Sequence, residues 1–307
     1  MEFGKLPDIS GVDFTLPPDA PGLSTLLEQA PGESILPHFY IGCTGWGMPE
    51  WVGSVYPTGA KSKDFLHYYG LQFNTIEHNT THYRIPTPAT VETWRVETPG
   101  DFRFCPKIPQ SLSHSRDLGV GSDQLLLFCE VIAGLEEKMG SCFLQLPPYF
   151  GPEKLEILLR FLRQFPSTIP LALELRHPAW FDGSAPKANE ALWQQMRESG
   201  CSSVITDVAG RRDVLLMPLT NRTAMIRFVG NGLHPSDFTR IDDWVSRLKR
   251  WFEMGLRRVY FFTHEPDNLL APQLAHYLCR SVEERIGVPV RGPVITDQQQ
   301  GKQMELF

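Results

Sequence analysis

The chain has 307 residues, of which 42% are hydrophobic and 21% are charged, a composition typical of a globular protein with a sizeable core. Its 29 basic and 35 acidic residues give a formal net charge of -6, which disfavours a protein that coats nucleic acid. No run of about 18 apolar residues predicts a membrane span, and the N-terminus has no basic segment followed by an apolar stretch. We therefore expect a cytoplasmic protein with no membrane partner.

The cysteine pattern points away from disulfides. Six cysteines occur without a C-x-x-C pair, and most of them lie in apolar runs. This distribution predicts buried free thiols in a reducing compartment. The six are Cys43, Cys105, Cys129, Cys142, Cys201 and Cys279.

The two ends of the chain differ from its middle. The first 37 residues are rich in Pro, Gly, Asp and Ser, which predicts an N-terminal extension at 1–37 that lies on the body of the protein or is partly disordered. One short helix is indicated there, at 23–29. A single domain is predicted at 38–296, followed by a C-terminal tail at 297–307.

Within the predicted domain, short β-rich apolar runs alternate with amphipathic stretches. Two helices have strong signals: leucines recur three and four residues apart in 153–164, and one apolar stripe in 237–254 ends at Gly255. The predicted strands are 39–43, 73–77, 102–107, 141–146, 171–175, 202–206, 224–229 and 259–263.

Eight strands alternating with helices predict an α/β fold in which a parallel sheet closes into a (β/α)8 TIM barrel. An open, doubly wound sheet is the structural alternative. The unit between strands 6 and 7 is irregular, because 207–223 is short and is interrupted by Pro218.

Strand alternation predicts which side chains enter the barrel. In the fifth strand, leucines at 171, 173 and 175 suit the helix layer, which leaves Glu174 and Arg176 pointing inward. Asp207 directly follows the sixth strand, and its direction stays open. The same alternation turns six further polar residues inward near the ends of their strands: Glu77, Asn79, Lys107, Gln145, Arg227 and His264.

Two interpretations of this polar set stay open. Burying charged groups inside a barrel costs free energy unless they are paired with opposite charges or serve in binding or catalysis. They could form an ion network that only holds the mouth of the barrel together. A ligand site is favoured because so many strands contribute at the same level, and because a barrel's active site lies at the carboxyl-terminal ends of its strands.

Several motifs resemble one known family. YIGCTGW at 40–46, FNTIE at 73–77, FLQLPP at 143–148 and ELRHPAW at 174–180 are similar to the YecE-like proteins, the uncharacterised family called domain of unknown function 72. The resemblance covers roughly residues 39–280 and implies a TIM-barrel fold, but no reaction. It also implies that the family's recurring polar residues match Glu77, Asn79, Lys107, Gln145, Glu174, Arg176, His177, Asp207 and Arg227.

The chain departs from the family pattern at two places. His82 stands where the pattern usually has Phe, and the segment after the last strand reads FTHEPDN at 262–268 where many members carry paired asparagines. Because of the second departure, the family pattern does not tell which residues the eighth strand contributes to the site.

We expect an enzyme, a hydrolase, isomerase or lyase, that uses general acid and base chemistry on a small polar substrate, anionic or carbohydrate-like. Glu174 is the leading catalytic residue, partnered by Glu77 or Asp207. Lys107 is the candidate for binding the charge of the substrate or for forming a Schiff base with it. The predicted substrate-binding residues are Asn79, Gln145, Arg176, His177, Arg227, Trp46 and His264.

Three alternatives remain. A phosphodiesterase resembling endonuclease IV would need a basic track, for which Arg211, Arg212 and Arg222 are candidates. A barrel that binds a ligand without turnover is the second. The third is a site for a divalent metal held by Glu174, His177, Asp207 and His264. The positive charge of Arg227 on the seventh strand disfavours a metal ion beside it, so no cofactor is predicted.

Overall fold

The computed structural model describes residues 6–28 and 37–296. The predicted C-terminal tail at 297–307 therefore lies outside the described residues, as do 1–5 and 29–36 of the predicted extension. In the described ranges the strands are β1 His38–Gly42, β2 Thr75–His78, β3 Arg103–Pro106, β4 Cys142–Gln145, β5 Leu171–Glu174, β6 Ser202–Asp207, β7 Thr223–Val229 and β8 Arg258–His264.

Helices separate most of these strands. They are α1 Leu23–Leu27, α2 Phe65–Gln72, α3 Thr80–Tyr83, α4 Pro88–Glu97, α5 Gln110–Ser113, α6 Asp123–Ala133, α7 Leu155–Gln164, α8 Pro186–Glu198, α9 Pro235–Met254 and α10 Ala271–Ile286. Across the described ranges, none of them combines the length and the apolar character needed to cross a membrane.

Each predicted strand overlaps an observed one, with shifted ends. The largest shift is in β2, which begins at Thr75 and not at residue 73. Asn74 explains it, because its side chain takes the place of strand pairing: Oδ1 accepts from the Ile41 N–H at 2.8 Å, and Nδ2 donates to the Phe39 carbonyl at 2.8 Å.

All observed strand pairs are parallel. Six strands form one sheet in the order β1-β8-β7-β6-β5-β4, and β2 and β3 form a separate pair. Over the residues described, this strand pairing does not close into a barrel. Isolated contacts join the pair to its neighbours. Among them, the Glu77 N–H donates to the Cys43 carbonyl at 3.1 Å, and isolated bridges link Phe104 with Met139 and Lys107 with Phe143. The fold is α/β with a parallel central sheet of six strands.

Side-chain alternation along the strands separates an inner layer from an outer one. Ala172 belongs to the inner layer, whereas Leu171 and Leu173 pack among the helices, as the sequence predicts. The inner apolar layer contains Tyr40, Cys105, Phe143, Ala172, Val204, Met225, Tyr260 and Phe262. The polar residues nearer the strand ends lie above this layer, so the apolar core is the floor of the site.

The outer layer follows from helix periodicity. In α9, Ile241, Trp244, Leu248 and Trp251 recur three and four residues apart and are fully buried. Gly255 ends the helix with φ 122, a conformation that favours glycine. All six cysteines are buried and free, as predicted.

The connection between β6 and β7 is irregular, as the sequence predicts. It contains a 3₁₀ helix at Ala209–Val214 in place of an α-helix. The N-terminal segment 6–28 packs beside it. Arg212 donates to the carbonyl of Phe14 at 3.1 Å, and α1 buries Leu23 and Leu27.

Gly42 marks the close approach of β1 and β2, and we expect its replacement by alanine to be destabilising. A Cβ at this position would collide with the backbone carbonyl of Thr75, so Gly42→Ala should lower the free energy of unfolding by roughly 1–3 kcal/mol. Gly45→Ala is a matched control, because a Cβ there meets no atom within 4 Å. Urea denaturation measures both; equal values would contradict this account of the β1–β2 contact.

Candidate functional site

Arg227 lies at the centre of a buried ionic network. β7 turns it inward, where it reaches carboxylates from two other strands. Nε and Nη2 donate to the two oxygens of Glu77 at 2.8 and 2.9 Å, and Nη1 donates to both oxygens of Glu174 at 2.9 and 3.1 Å. One guanidinium therefore joins β2, β7 and β5, in the bidentate geometry that suits carboxylates.

A second arm of the network starts from Lys107. Its Nζ donates to Gln145 Oε1 at 2.9 Å, and Gln145 Nε2 donates to Glu174 Oε2 at 2.7 Å. Arg176 adds a third cation, since its Nε donates to Glu174 Oε1 at 2.9 Å. Glu174 thus receives hydrogen bonds from three different side chains.

Two further residues hold Glu77. Asn79 Nδ2 donates to Oε1 at 2.9 Å, and His264 Nε2 lies 2.9 Å from Oε2. A carboxylate only accepts, so the proton of this imidazole bond sits on Nε2. The structure therefore brings eight of the sequence-predicted residues into one network: Glu77, Asn79, Lys107, Gln145, Glu174, Arg176, Arg227 and His264.

Both carboxylates are ionised at neutral pH. Burial would raise the pKa of Glu77, but Arg227 and His264 hold that pKa well below its usual range. Burial also opposes ionisation of Glu174, yet Arg176 and Arg227 lower its pKa to about 2. Burial, reinforced by the charge of Arg227, lowers the pKa of Lys107 to about 8. Apart from His264, the network therefore holds three cations against two carboxylates at pH 7.

A cavity of about 600 Å³ opens above the network. Arg176, Arg227 and His264 line it from the strand ends. Thr206 also lines it, and among the residues described its buried Oγ1 has no hydrogen-bond partner. Cavities of this size, with few convergent polar groups, are typical of small-molecule sites.

Glu265 also lines this cavity, and sequence reasoning missed it. It is 4% exposed and accepts hydrogen bonds from the N–H groups of Gly232 at 2.7 Å and Leu233 at 3.3 Å. Burial raises its pKa to about 6. Alternation along β8 predicts that His264 points inward and that Glu265 does not. The departure from the family pattern after β8 was the one feature of the sequence that drew attention to this segment.

Asp207 lies outside the network. It is the last residue of β6, so its side chain takes the face opposite to Thr206 and enters the helix layer. There Arg240 Nη2 donates to Oδ1 at 2.6 Å, Trp244 Nε1 donates to Oδ2 at 2.7 Å, and Arg212 also contacts Oδ1. This carboxylate ties α9 to β6 and does not reach Glu174.

His177 and Trp46 are also absent from the network. His177 Nδ1 accepts from the Ala179 N–H at 3.1 Å, so the ring caps the short helix that follows. The Trp46 ring packs 4.8 Å from that of His78 and 6.2 Å from that of Trp94, between centroids. Both side chains have structural contacts, and neither lines the cavity.

The predicted metal ligands and basic track are dispersed. Within 6–28 and 37–296, no group of three or more His, Cys, Asp or Glu side chains could hold a metal ion. Of the basic candidates, Arg211 pairs with Asp213 at 2.9 Å, Arg212 contacts Asp207, and Arg222 donates to the carbonyl of Glu28. These three arginines are engaged inside the chain.

The fold and site define an α/β protein of parallel strands with a buried ionic network beside a cavity at the strand ends. Residues 40–299 match the family described as "Protein of unknown function DUF72". The chain belongs to that family.

Relatives and solved structures agree with this assignment. The chain is 31% identical over 277 residues to the UPF0759 protein YecE of Escherichia coli, covering 84% of this chain and 98% of the relative. It is 28% identical over 201 residues to the UPF0759 protein YunF of Bacillus subtilis, covering 62% and 70%. A crystal structure of a DUF72 family protein from Enterococcus faecalis has a TM-score of 0.64 at 19% identity and covers 85% of this chain and 99% of that one.

Proposed function

We propose that residues 38–296 form a closed (β/α)8 barrel. Its two seams, the junctions between β1 and β2 and between β3 and β4, have few backbone hydrogen bonds. The bond from Glu77 to Cys43 and the bridge from Lys107 to Phe143 support closure, because they lie at these two seams. The polar residues at the carboxyl-terminal strand ends agree with the usual place of a barrel's active site.

We further propose that the chain is an enzyme that binds a small polar substrate through an anionic group. One observation carries the proposal: the guanidinium groups of Arg176 and Arg227 line the same cavity at the strand ends. Guanidinium groups bind carboxylate, phosphate and sulfate groups through charge-assisted hydrogen bonds. An anionic group of a substrate in this cavity would lie beside both arginines.

The pKa values suggest how the roles divide. Glu77 and Glu174 stay ionised at neutral pH, so we assign them to holding Arg227 in place and not to donating a proton. Acid and base catalysis works best when the pKa of the group is near the working pH. Lys107, with a pKa of about 8, and Glu265, with a pKa of about 6, meet that condition, and of the two Glu265 lines the cavity.

Sulfate is the probe for the anion site, because it is small and keeps its charge across the working pH range. We expect the wild-type chain to bind sulfate at low ionic strength and Arg176→Met to bind it about tenfold more weakly, the effect of losing one charged hydrogen bond. Arg280→Met is the matched control, since Arg280 is exposed and pairs with Glu284 at 3.1 Å. Isothermal titration calorimetry decides; equal affinities in Arg176→Met and wild type would refute the site.

Sulfate affinity should also depend on pH through Lys107. Below pH about 8 the ammonium is protonated and attracts the anion, and above it this charge is lost. We expect the dissociation constant to rise between pH 7 and 9 in the wild type and to stay constant in Lys107→Met. A step of equal size in both proteins would assign the titration to another group.

Turnover is tested separately from binding. A collection of small phosphate, sulfate and carboxylate esters is screened by thermal shift, since a ligand of the folded state raises the melting temperature. NMR then follows each hit for conversion. Conversion that is lost in Lys107→Met or Glu265→Gln supports the enzyme, whereas tight binding with no conversion of any hit supports the non-catalytic barrel.

A further inference from the structure

The N-terminal segment contributes to the cavity although it lies outside the family match. The match begins at residue 40, and the described part of the predicted extension is 6–28. Leu6, Pro7, Asp8, Ile9 and Ser10 nevertheless line the same cavity as Arg176 and Arg227. A wall of the site therefore comes from residues that the family pattern does not include.

Contacts further along the chain hold this wall in place. The Phe14 ring lies 4.9 Å from the guanidinium carbon of Arg240, and its carbonyl accepts from Arg212 at 3.1 Å. The Asp19 carboxylate accepts from Arg250 at 2.6 Å and from Trp251 Nε1 at 3.0 Å. Because these anchors follow residues 6–10, changes in the wall leave the attachment of the segment intact.

The wall also brings a negative charge to the cavity. The Asp8 carboxylate accepts from the N–H of Ser10 at 2.9 Å and from its hydroxyl at 3.1 Å, which fixes its orientation. The strand ends supply cations to the same cavity, and the wall supplies an acceptor. This arrangement suits a ligand with an anionic group and a hydrogen-bond donor, an amine or a hydroxyl.

We propose that residues 6–10 determine the specificity of the site: Asp8 selects anions that also carry an amine or hydroxyl group. The inference rests on the proposed anion site. It goes further by naming the substrate class and the segment that selects it.

Donor selection is tested by calorimetry on the full-length chain with Asp8→Asn and with 2-aminoethyl sulfate, a small anion that carries an amine. We expect Asp8→Asn to lose at least fivefold in affinity for 2-aminoethyl sulfate and to bind inorganic sulfate as well as wild type or better. Asp13→Asn is the matched control, since Asp13 makes the same kind of turn with Thr15 at 2.9 Å and does not line the cavity.

The outcomes separate this inference from the proposed function. Sulfate binding with no loss for 2-aminoethyl sulfate in Asp8→Asn overturns the donor selection alone. An equal loss in Asp8→Asn and Asp13→Asn overturns it as well, because the effect would then belong to the fold of the segment. No sulfate binding by the wild type removes the anion site, and the inference with it.

Discussion

Replacing Arg227 with alanine is expected to lower the free energy of unfolding by about 3–5 kcal/mol, the usual cost of removing one partner from a buried ion pair. The guanidinium makes four hydrogen bonds to Glu77 and Glu174, which are 0% and 1% exposed. Without it, two ionised carboxylates stay buried and lose their shared counter-charge. Urea denaturation at pH 7 measures the loss.

Two further variants show that the loss comes from unpaired charge. Arg280→Ala removes an exposed ion pair and should cost less than about 1 kcal/mol. The double variant with Arg227→Ala and Glu77→Gln removes the guanidinium together with one of its carboxylates, leaves Glu174 paired with Arg176, and should recover part of the lost stability. A loss below about 1 kcal/mol in Arg227→Ala would mean that the network does not stabilise the fold.

The convergence of the network was predictable from sequence, because strand alternation is a strong rule. Glu77, Gln145, Glu174 and Arg227 each occupy an inward position near the end of a strand. Parallel strands bring such positions to one edge of the sheet, so residues up to 187 positions apart meet. The partners within the network were not predictable, since they depend on side-chain lengths and distances.

At strand ends the same rule loses its accuracy. A shift of one residue moves a side chain to the opposite face. β6 extends to Asp207, which places that carboxylate among α9 side chains and leaves Thr206 in the cavity. Beyond β8 the loop conformation decides the direction of each side chain, and Glu265 lines the cavity next to His264.

Two further features depend on contacts that have no periodic signal. The N-terminal segment is placed by Arg212, Arg240 and Arg250, more than 190 residues further along the chain. Between β1 and β2, the Asn74 amide binds β1 where a strand would bind through its backbone. Neither composition nor hydrophobic periodicity contains this information.

The second large effect is expected in acid. The pKa of Glu174 is about 2 in the folded chain, against an ordinary value of 4.5. Because the folded pKa is depressed, the stabilisation is fully present above the unfolded pKa and is lost as the pH falls toward the folded one. A difference of this size corresponds to about 3 kcal/mol, lost between about pH 5 and pH 2. The pKa of Glu77, also well below its usual range, acts in the same direction.

Urea denaturation at several pH values between 7 and 3 measures this loss, and Glu174→Gln isolates its source. The variant cannot titrate at this position, so its unfolding free energy should fall less steeply with decreasing pH than that of wild type. Glu284→Gln is the control, because Glu284 lies in an exposed pair with Arg280 and should leave the slope unchanged. If wild type and Glu174→Gln lost stability in parallel over this range, the buried carboxylate of Glu174 would not be the group that titrates, and its strong coupling to Arg176 and Arg227 would be refuted.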